Sequence, residues 1–516
     1  MTLRIFLSLL LAASLGAATP HATAAPSKTK SKTSTKSTTQ KKSTSSQSTP
    51  KVEPPTSTTI ATLPGIMESI IKRVSASSNW GVMVTALDSG KVLYSRNADN
   101  RYIPASNRKL FTSAFALDQL GADFQYRTYL YRTGPVDAAG LLKGDLVIRP
   151  QGDPTFSDRL IRSAPTDWIY RDWVTKCKSD NIKEIEGSLI VDCSEWDLNN
   201  LQPKGWPARM KDDYYAPKTS PLTVNENLLE FKVKPGKDGA AGIIDFVPDA
   251  EGYPVTNNTK TGGQGGVNVS RNSTGQLVVS GSPKGTTTYA IPADNPTLYA
   301  AAIFRSQLKR EGITVRGSIR VVSGKNSVPP PTSENVVAVY ISPPMSEIIH
   351  LMNKQSNNHF AEQIYVSVPA IKLGMGSYPA AKKLEADFLA RAGIKNPQFE
   401  DGSGLSEMNR VSPDEMVKLL AMMKNHPASQ VYFDSLPVGG RDGTLRNRMQ
   451  DKDVVARVHA KTGYINRVSC LSGYVLPNEQ QSPLAFSFLV NEMRTDVSTV
   501  KATQDKLCEA LSVLKP

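Results

Sequence analysis

The sequence predicts an α/β (α+β) domain assembled from two distant parts of the chain and interrupted by a large β-rich insertion. Three observations carry this expectation. Residues 80–121 read as a strand hairpin followed by an apolar helix, and residues 453–514 read as three strands followed by a closing helix. Two short polar motifs, Ser106–Lys109 and Ser356–Asn358, stand 250 residues apart, whereas only 105 residues separate Ser356 from Lys461. The long interval between the first two is rich in strand signals broken by Gly, Asn and Pro.

The chain of 516 residues is long enough for two or three domains. It opens with Arg4, the short apolar run "IFLSLLLAASLG" and the small-residue site Ala22-Thr23-Ala24, the pattern of a secretory signal over 1–24. That run is too short to span a bilayer comfortably, so a soluble, exported protein is expected, periplasmic or secreted. Residues 25–59 contain Ser, Thr, Pro and seven lysines against one acid, Glu53, with almost nothing apolar. Such a segment cannot bury enough surface to offset its ordering entropy and reads as a disordered linker. Half of the formal charge of +14 therefore lies before residue 60. It is a solvated spacer or a loose attachment to an anionic envelope surface. Nucleic acid is not an expected partner, because no aromatic-plus-basic pattern accompanies the charge.

The stretch "WGVMVTALDSGKVLYSRN" alternates apolar and polar residues on both sides of an Asp88-Ser89-Gly90 turn. "YIPASNRKLFTSAFALDQLG" follows, with Pro104 and Ala105 leading into a helix that Gly121 ends. Ser106 falls in the first turn and Lys109 one turn on, along the same face. A serine hydroxyl needs a base to become a nucleophile, and a desolvated amine can serve. The free N–H groups of a helix start can also hold an oxyanion. Other Ser-x-x-Lys copies lack this setting: Ser27–Lys30 is in the linker, and Ser306–Lys309 lies deep in a helix begun by Asn295 and Pro296.

Lys-Thr-Gly occurs twice, so two constellations compete. The early one joins Ser106 to Ser179-Asp180-Asn181, a Glu195-Trp196-Asp197-Leu198-Asn199 stretch and Lys260-Thr261-Gly262. Its last member sits between "TNN" and "GGQGG", where a glycine-rich loop cannot hold Lys and Thr in one direction. The late one uses Ser356-Asn357-Asn358, inside the helical spacing of "MSEIIHLMNKQSNNHFAEQIYVSV", and Lys461-Thr462-Gly463, at the end of a strand. Each late motif has an element of its own. Asp401-Gly402-Ser403-Gly404 reads as a structural turn near the same cleft.

Ser106–Lys109, Ser356–Asn358 and Lys461–Gly463 together resemble the three-part signature of β-lactamases and penicillin-binding proteins. With "LKGDLVIRPQGDPTF", "LKREGITVRGSIR", "DGSGLSEMNRVSP" and "SLPVGGRDGTLRNRM", the chain from about residue 60 onward resembles the PBP4-type D-alanyl-D-alanine carboxypeptidase/endopeptidases, low-molecular-mass class C penicillin-binding proteins of peptidase family S13. The resemblance implies a β-lactamase/transpeptidase-like catalytic domain over 60–125 and 330–516, with 126–329 inserted as two β-rich subdomains. It implies acyl transfer from peptidoglycan stem peptides to Ser106, with Lys109 as base, Ser356 relaying a proton and Asn358 holding the substrate amide. Lys461 keeps the field positive, Thr462 binds the terminal carboxylate, and Gly463 permits close approach. The N–H groups of Ser106 and Tyr464 form the oxyanion hole. β-Lactams are expected as inhibitors. An acid near "GWPARMKDDYYAP" is expected to recognise a diaminopimelate side chain, which makes Asp212 and Asp213 candidates. A class A-like β-lactamase and a non-catalytic wall-binding protein are the alternatives.

Four cysteines in an exported chain allow three disulfide connectivities, and proximity favours Cys177–Cys193 and Cys470–Cys508. No cofactor is expected. The five scattered histidines and the cysteine spacing suggest no metal site.

Overall fold

The structure, a computed structural model, describes residues 58–75, 78–156, 165–324, 328–395, 397–477 and 482–515. The expected signal segment 1–24 and nearly all of the linker 25–59 lie outside the described residues. The last two linker residues, Thr58–Thr59, instead form a short parallel pairing with Leu514–Lys515 near the C-terminus.

The core of the catalytic part is a five-stranded antiparallel sheet. Its strands run in the order Val458–Ile465, Val468–Val475, Leu484–Asn491, Asn79–Ala86 and Val92–Arg96. Successive side chains on a strand point to opposite faces, and both faces here are covered. In Leu484–Asn491, Phe486, Phe488 and Val490 pack with residues of the helices Leu63–Ser75 and Val497–Ser512. Ala485 and Leu489 face the other core, which contains the helix Arg108–Leu120. Burial on both sides explains why "LAFSFLV" reads as an apolar run without alternation.

A helical layer adjoins that second face. Arg108–Leu120 packs against Met345–Gln355 and Asn358–Leu373, and the latter against Tyr378–Arg391. The apolar spacing through residues 345–368 belongs to two helices, not one. Ser356 is left-handed (φ 58°, ψ 37°) and ends the first, and the Asn357 side chain caps the second by accepting from the Phe360 N–H.

The inserted region carries two groups of strands. One is a five-stranded sheet in the order Ile319–Val322, Leu189–Asp192, Leu146–Arg149, Arg127–Arg132, Val336–Ile341. The helices Trp168–Ser179 and Pro296–Arg310 pack against it. The other carries two three-stranded sheets built from residues 228–292. Because Val336–Ile341 pairs antiparallel with Arg127–Arg132, the inserted sheet extends past residue 329 to Ile341.

Neither expected disulfide forms: all four cysteines are free and buried. Cys470 points into the core beneath Ile103, whose carbonyl accepts from its thiol, whereas Cys508 belongs to the helix on the opposite face of the sheet. The two thiols thus lie in the cores on opposite faces of the sheet. Cys177 lies at the C-terminal end of Trp168–Ser179, beside Ile182, while Cys193 follows the far end of Leu189–Asp192. Both thiols are buried in the same apolar core and are not bonded to each other. Burial pushes the Cys470 and Cys177 thiols up to about 12, which keeps them protonated.

Candidate active site

Ser106 lies in a 3-10 turn, Ala105–Asn107, that runs directly into Arg108–Leu120. Lys109, fully buried one turn on, donates to Ser106 Oγ at 2.9 Å, to Asn358 Oδ1 at 2.7 Å and to the Ser403 carbonyl at 2.8 Å. These three partners define its chemistry. A neutral amine has two N–H groups and one lone pair, so with Asn358 and Ser403 accepting, the lone pair is left for the serine hydroxyl. Burial lowers the Lys109 pKa to about 7, against the opposing pull of Glu362 and Asp401. The base is therefore available near neutral pH.

The second and third motifs close the cleft from the other side. Lys461, also fully buried, donates to Ser356 Oγ at 2.8 Å and to the Thr462 carbonyl at 3.0 Å. Burial, and then the neighbouring Lys109, hold its pKa well below that of an ordinary lysine. Thr462 is half-buried and donates to Thr444 Oγ1 at 2.8 Å. Gly463 is required by space: a Cβ there would stand 2.7 Å from the Pro104 carbonyl and about 3.0 Å from Asn107. The strand thus presses directly on the Ser106 turn, which Asn107 anchors from behind through Ser472 at 2.7 Å. The Tyr464 ring is exposed, with the Lys501 amine of Val497–Ser512 5.6 Å from its centre. Lys-Thr-Gly lies within its strand, which continues to Ile465.

Asp401–Gly404 is indeed a structural turn, and it does more than reverse the chain. Its three successive carbonyls, Asp401, Gly402 and Ser403, accept from Arg108 Nε (2.7 Å), Thr112 Oγ1 (2.6 Å) and Lys109 Nζ (2.8 Å). Gly404 (φ 91°) then passes beneath the nucleophile, where a Cβ would overlap the Ala105 carbonyl. The buried Arg108–Glu385 pair fixes the same helix bidentately, at 2.6 and 2.8 Å.

The two aspartate candidates separate. Asp213 accepts from the Tyr215 hydroxyl at 2.6 Å, and the backbone carbonyl of the same Tyr215 accepts from Asn358 Nδ2 at 2.9 Å. Asp212 turns away and accepts from Arg271 at 2.7 Å. A cavity of about 340 Å³ opens between Tyr214, Tyr215, Glu226 and Ser356–His359. Thr444, Tyr215 and Glu226 were not singled out by sequence. Thr444 lies in a quoted stretch, but only folding brings it to Thr462.

The early constellation does not assemble. Ser179, Asp180 and Asn181 are exposed at the end of a helix. Glu195 pairs with Arg149 at 2.8 Å. Lys260 is exposed, and Thr261 and Gly262 form a loop whose hydrogen bonds run to Gly236, Gly239 and Ala240. Ser306, the other helical serine, accepts from the Glu251 N–H.

The chain is 32% identical over 443 residues to a D-alanyl-D-alanine carboxypeptidase of Actinomadura sp. (strain R39), covering 80% of this chain and 77% of the relative. It is 24% identical over 448 residues to the D-alanyl-D-alanine carboxypeptidase DacB of Haemophilus influenzae, covering 83% and 88%. The crystal structure of penicillin binding protein 4 from Haemophilus influenzae shares the fold, with a TM-score of 0.70 at 23% identity over 86% of this chain and 97% of that one. Residues 65–512 match the sequence pattern of the D-Ala-D-Ala carboxypeptidase 3 (S13) family, and the chain belongs to that family.

Proposed function

We propose that this chain is a serine D,D-peptidase of peptidoglycan, a D-Ala-D-Ala carboxypeptidase/endopeptidase acting through an acyl-enzyme. The observation that carries the reading is the Lys109 amine at 2.9 Å from Ser106 Oγ, buried and facing the Ser356–Lys461 pair. Ser106 Oγ attacks the carbonyl of the penultimate D-Ala and Lys109 accepts its proton. The carbonyl oxygen becomes an oxyanion against the N–H groups of Ser106 and Tyr464. When the C–N bond breaks, Ser356 passes a proton to the leaving amine and is resupplied through Lys461. Asn358 holds the substrate amide with its side chain, fixed by Lys109 and Tyr215. Water then cleaves the Ser106 ester, with the proton path reversed.

Lys461 was expected to keep the field positive, yet its burial opposes a charge. The substrate's terminal carboxylate resolves this: bound beside Thr462, it supplies the counter-charge that favours the ammonium form. Asp213 is the better of the two acids for a cationic group on the third stem residue, which would favour diaminopimelate-containing peptides and their cross-links. β-Lactams acylate the same serine and leave slowly. Export to the periplasm or beyond, and loose envelope attachment by the lysine-rich segment, are inferred from the N-terminal sequence.

Labelling with penicillin, followed by intact mass and peptide mapping, tests the reading, together with D-Ala release from a D-Ala-D-Ala peptide. A lasting adduct on Ser106 and released D-Ala are expected. Rapid penicillin turnover without D-Ala release would instead indicate a β-lactamase, and no adduct a wall-binding protein. Cell fractionation with and without residues 25–57 tests location and attachment.

A further inference from the structure

Glu362 lies one turn beyond Asn358 on the same helix and is completely buried. A buried carboxylate is costly unless it is hydrogen-bonded, and this one is held closely. One oxygen accepts from the Ser403 N–H at 2.7 Å, and the other from the Gly402 N–H at 2.9 Å and the Tyr378 hydroxyl at 2.7 Å. These are the amides of the same turn whose Ser403 carbonyl receives the Lys109 amine. Asn358 and Glu362, four residues apart, therefore address Lys109 by two routes: Asn358 directly, Glu362 through the backbone of Ser403, whose N–H it holds and whose carbonyl the amine meets.

We propose that Glu362 is a positioning residue for the Lys109 amine, acting through the backbone of Gly402 and Ser403. This rests on the reading of Lys109 as the base. Glu362 holds the N–H groups of Gly402 and Ser403 while Asp401 Oδ1 holds that of Gly404, and together they set where the Ser403 carbonyl, and with it the Lys109 lone pair, points. The negative charge also bears on the amine, since Glu362 is the foremost group opposing the burial that lowers the Lys109 pKa. The groups around the pair are all accounted for. Tyr378 faces Glu362 from the next helix and Asp401 from the turn; burial, and then the Asp401 charge, raise the Glu362 pKa to about 7. Arg108, Glu385 and Tyr365 form a closed cluster behind, and Lys461 faces Lys109 across the cleft.

The test is the pH profile of acylation by a penicillin, measured for the full chain and for Glu362→Gln. The amide keeps size and one acceptor but removes the charge. Expected are a plateau roughly tenfold or more lower, from lost aim, and an acid limb displaced to lower pH, because Lys109 loses a stabilising anion. An unchanged profile in a folded variant overturns the proposal, as does a lower thermal midpoint with plateau and limb intact. Should Glu362→Gln not fold, Tyr378→Phe, which removes only one donor to the carboxylate, must shift the same limb in the same direction. An unmoved limb there also overturns it. A wild-type chain that takes no penicillin would instead overturn the peptidase reading, so the two failures are distinguishable.

Discussion

At the scale of single residues, a repeated tripeptide acquires meaning from what surrounds it. Lys461 is enclosed and reaches Ser356, whereas Lys260 is exposed on a loop. Lys461→Ala should therefore lower penicillin acylation by roughly a hundredfold or more, the scale of losing a preorganised polar group in a dry cleft. Lys260→Ala should leave acylation within about twofold, as most surface changes do. Stopped-flow or gel-based labelling of the two variants checks both, and the opposite ranking would sink the assignment. Lys109 sets the pH dependence. Its neutral form is the base and its pKa is lowered to about 7, so acylation should rise with pH and level off above that value. The sign is fixed: an ordinary lysine, near 10.4, would leave the limb about three units higher. Measuring the acylation rate across about pH 5 to 9 distinguishes the two.

At the scale of elements, the site is a set of backbone positions that force side chains together. Gly404 is the tightest of these, because its φ of 91° disfavours any side chain and a Cβ would overlap the Ala105 carbonyl. Gly404→Ala should displace the Ser106 turn and cut acylation by about tenfold or more, by the geometric sensitivity of attack. A crystal structure or a comparison of labelling rate with thermal midpoint would show whether the turn has moved. The sequence revealed the elements that obey periodicity and punctuation: the hairpin before Ser106, the helix ended by Gly121, the three late strands and the closing helix. It offered Ser106, Lys109, Ser356, Asn358 and Lys461 as candidates because each motif is contiguous. Contacts made only by folding were not legible. Thr444 meets Thr462, and Glu362 meets Ser403, across stretches that no local pattern links. The break at Ser356 was hidden because its left-handed turn leaves apolar spacing intact on both sides. The cysteine pairing failed for a related reason: proximity along the chain says nothing about which face of a sheet a thiol occupies.

At the scale of the whole molecule, the insertion is more than a spacer between the first two motifs. Its chain returns to the cleft at three points. The Tyr215 carbonyl accepts from Asn358, Glu226 accepts from Asn357, and Trp206 Nε1 donates to Asp401 Oδ2 at 2.9 Å. The last contact ties the insertion to the turn that holds Lys109. Asp401 is fully buried, and its remaining donors come from the turn itself: Gly404, Ser406 and Asn409. Trp206→Phe keeps the ring packed against Met210, Ala216 and Leu405 but removes the one donor from outside the turn. The loss of one such hydrogen bond should cost about 1–3 kcal/mol of stability, because Asp401 stays buried with a partner missing. It should also slow acylation several-fold, roughly in proportion to how far Ser403 drifts from Lys109. Arg209→Ala is the control. Arg209 pairs with Glu407 between the same two segments, but both side chains are largely exposed, so its removal should change neither quantity appreciably. Thermal unfolding and penicillin labelling of the two variants, side by side, decide the matter. Equal behaviour would mean that the insertion merely lies against the catalytic part, whereas loss in Trp206→Phe alone would mean that it helps hold the base in place.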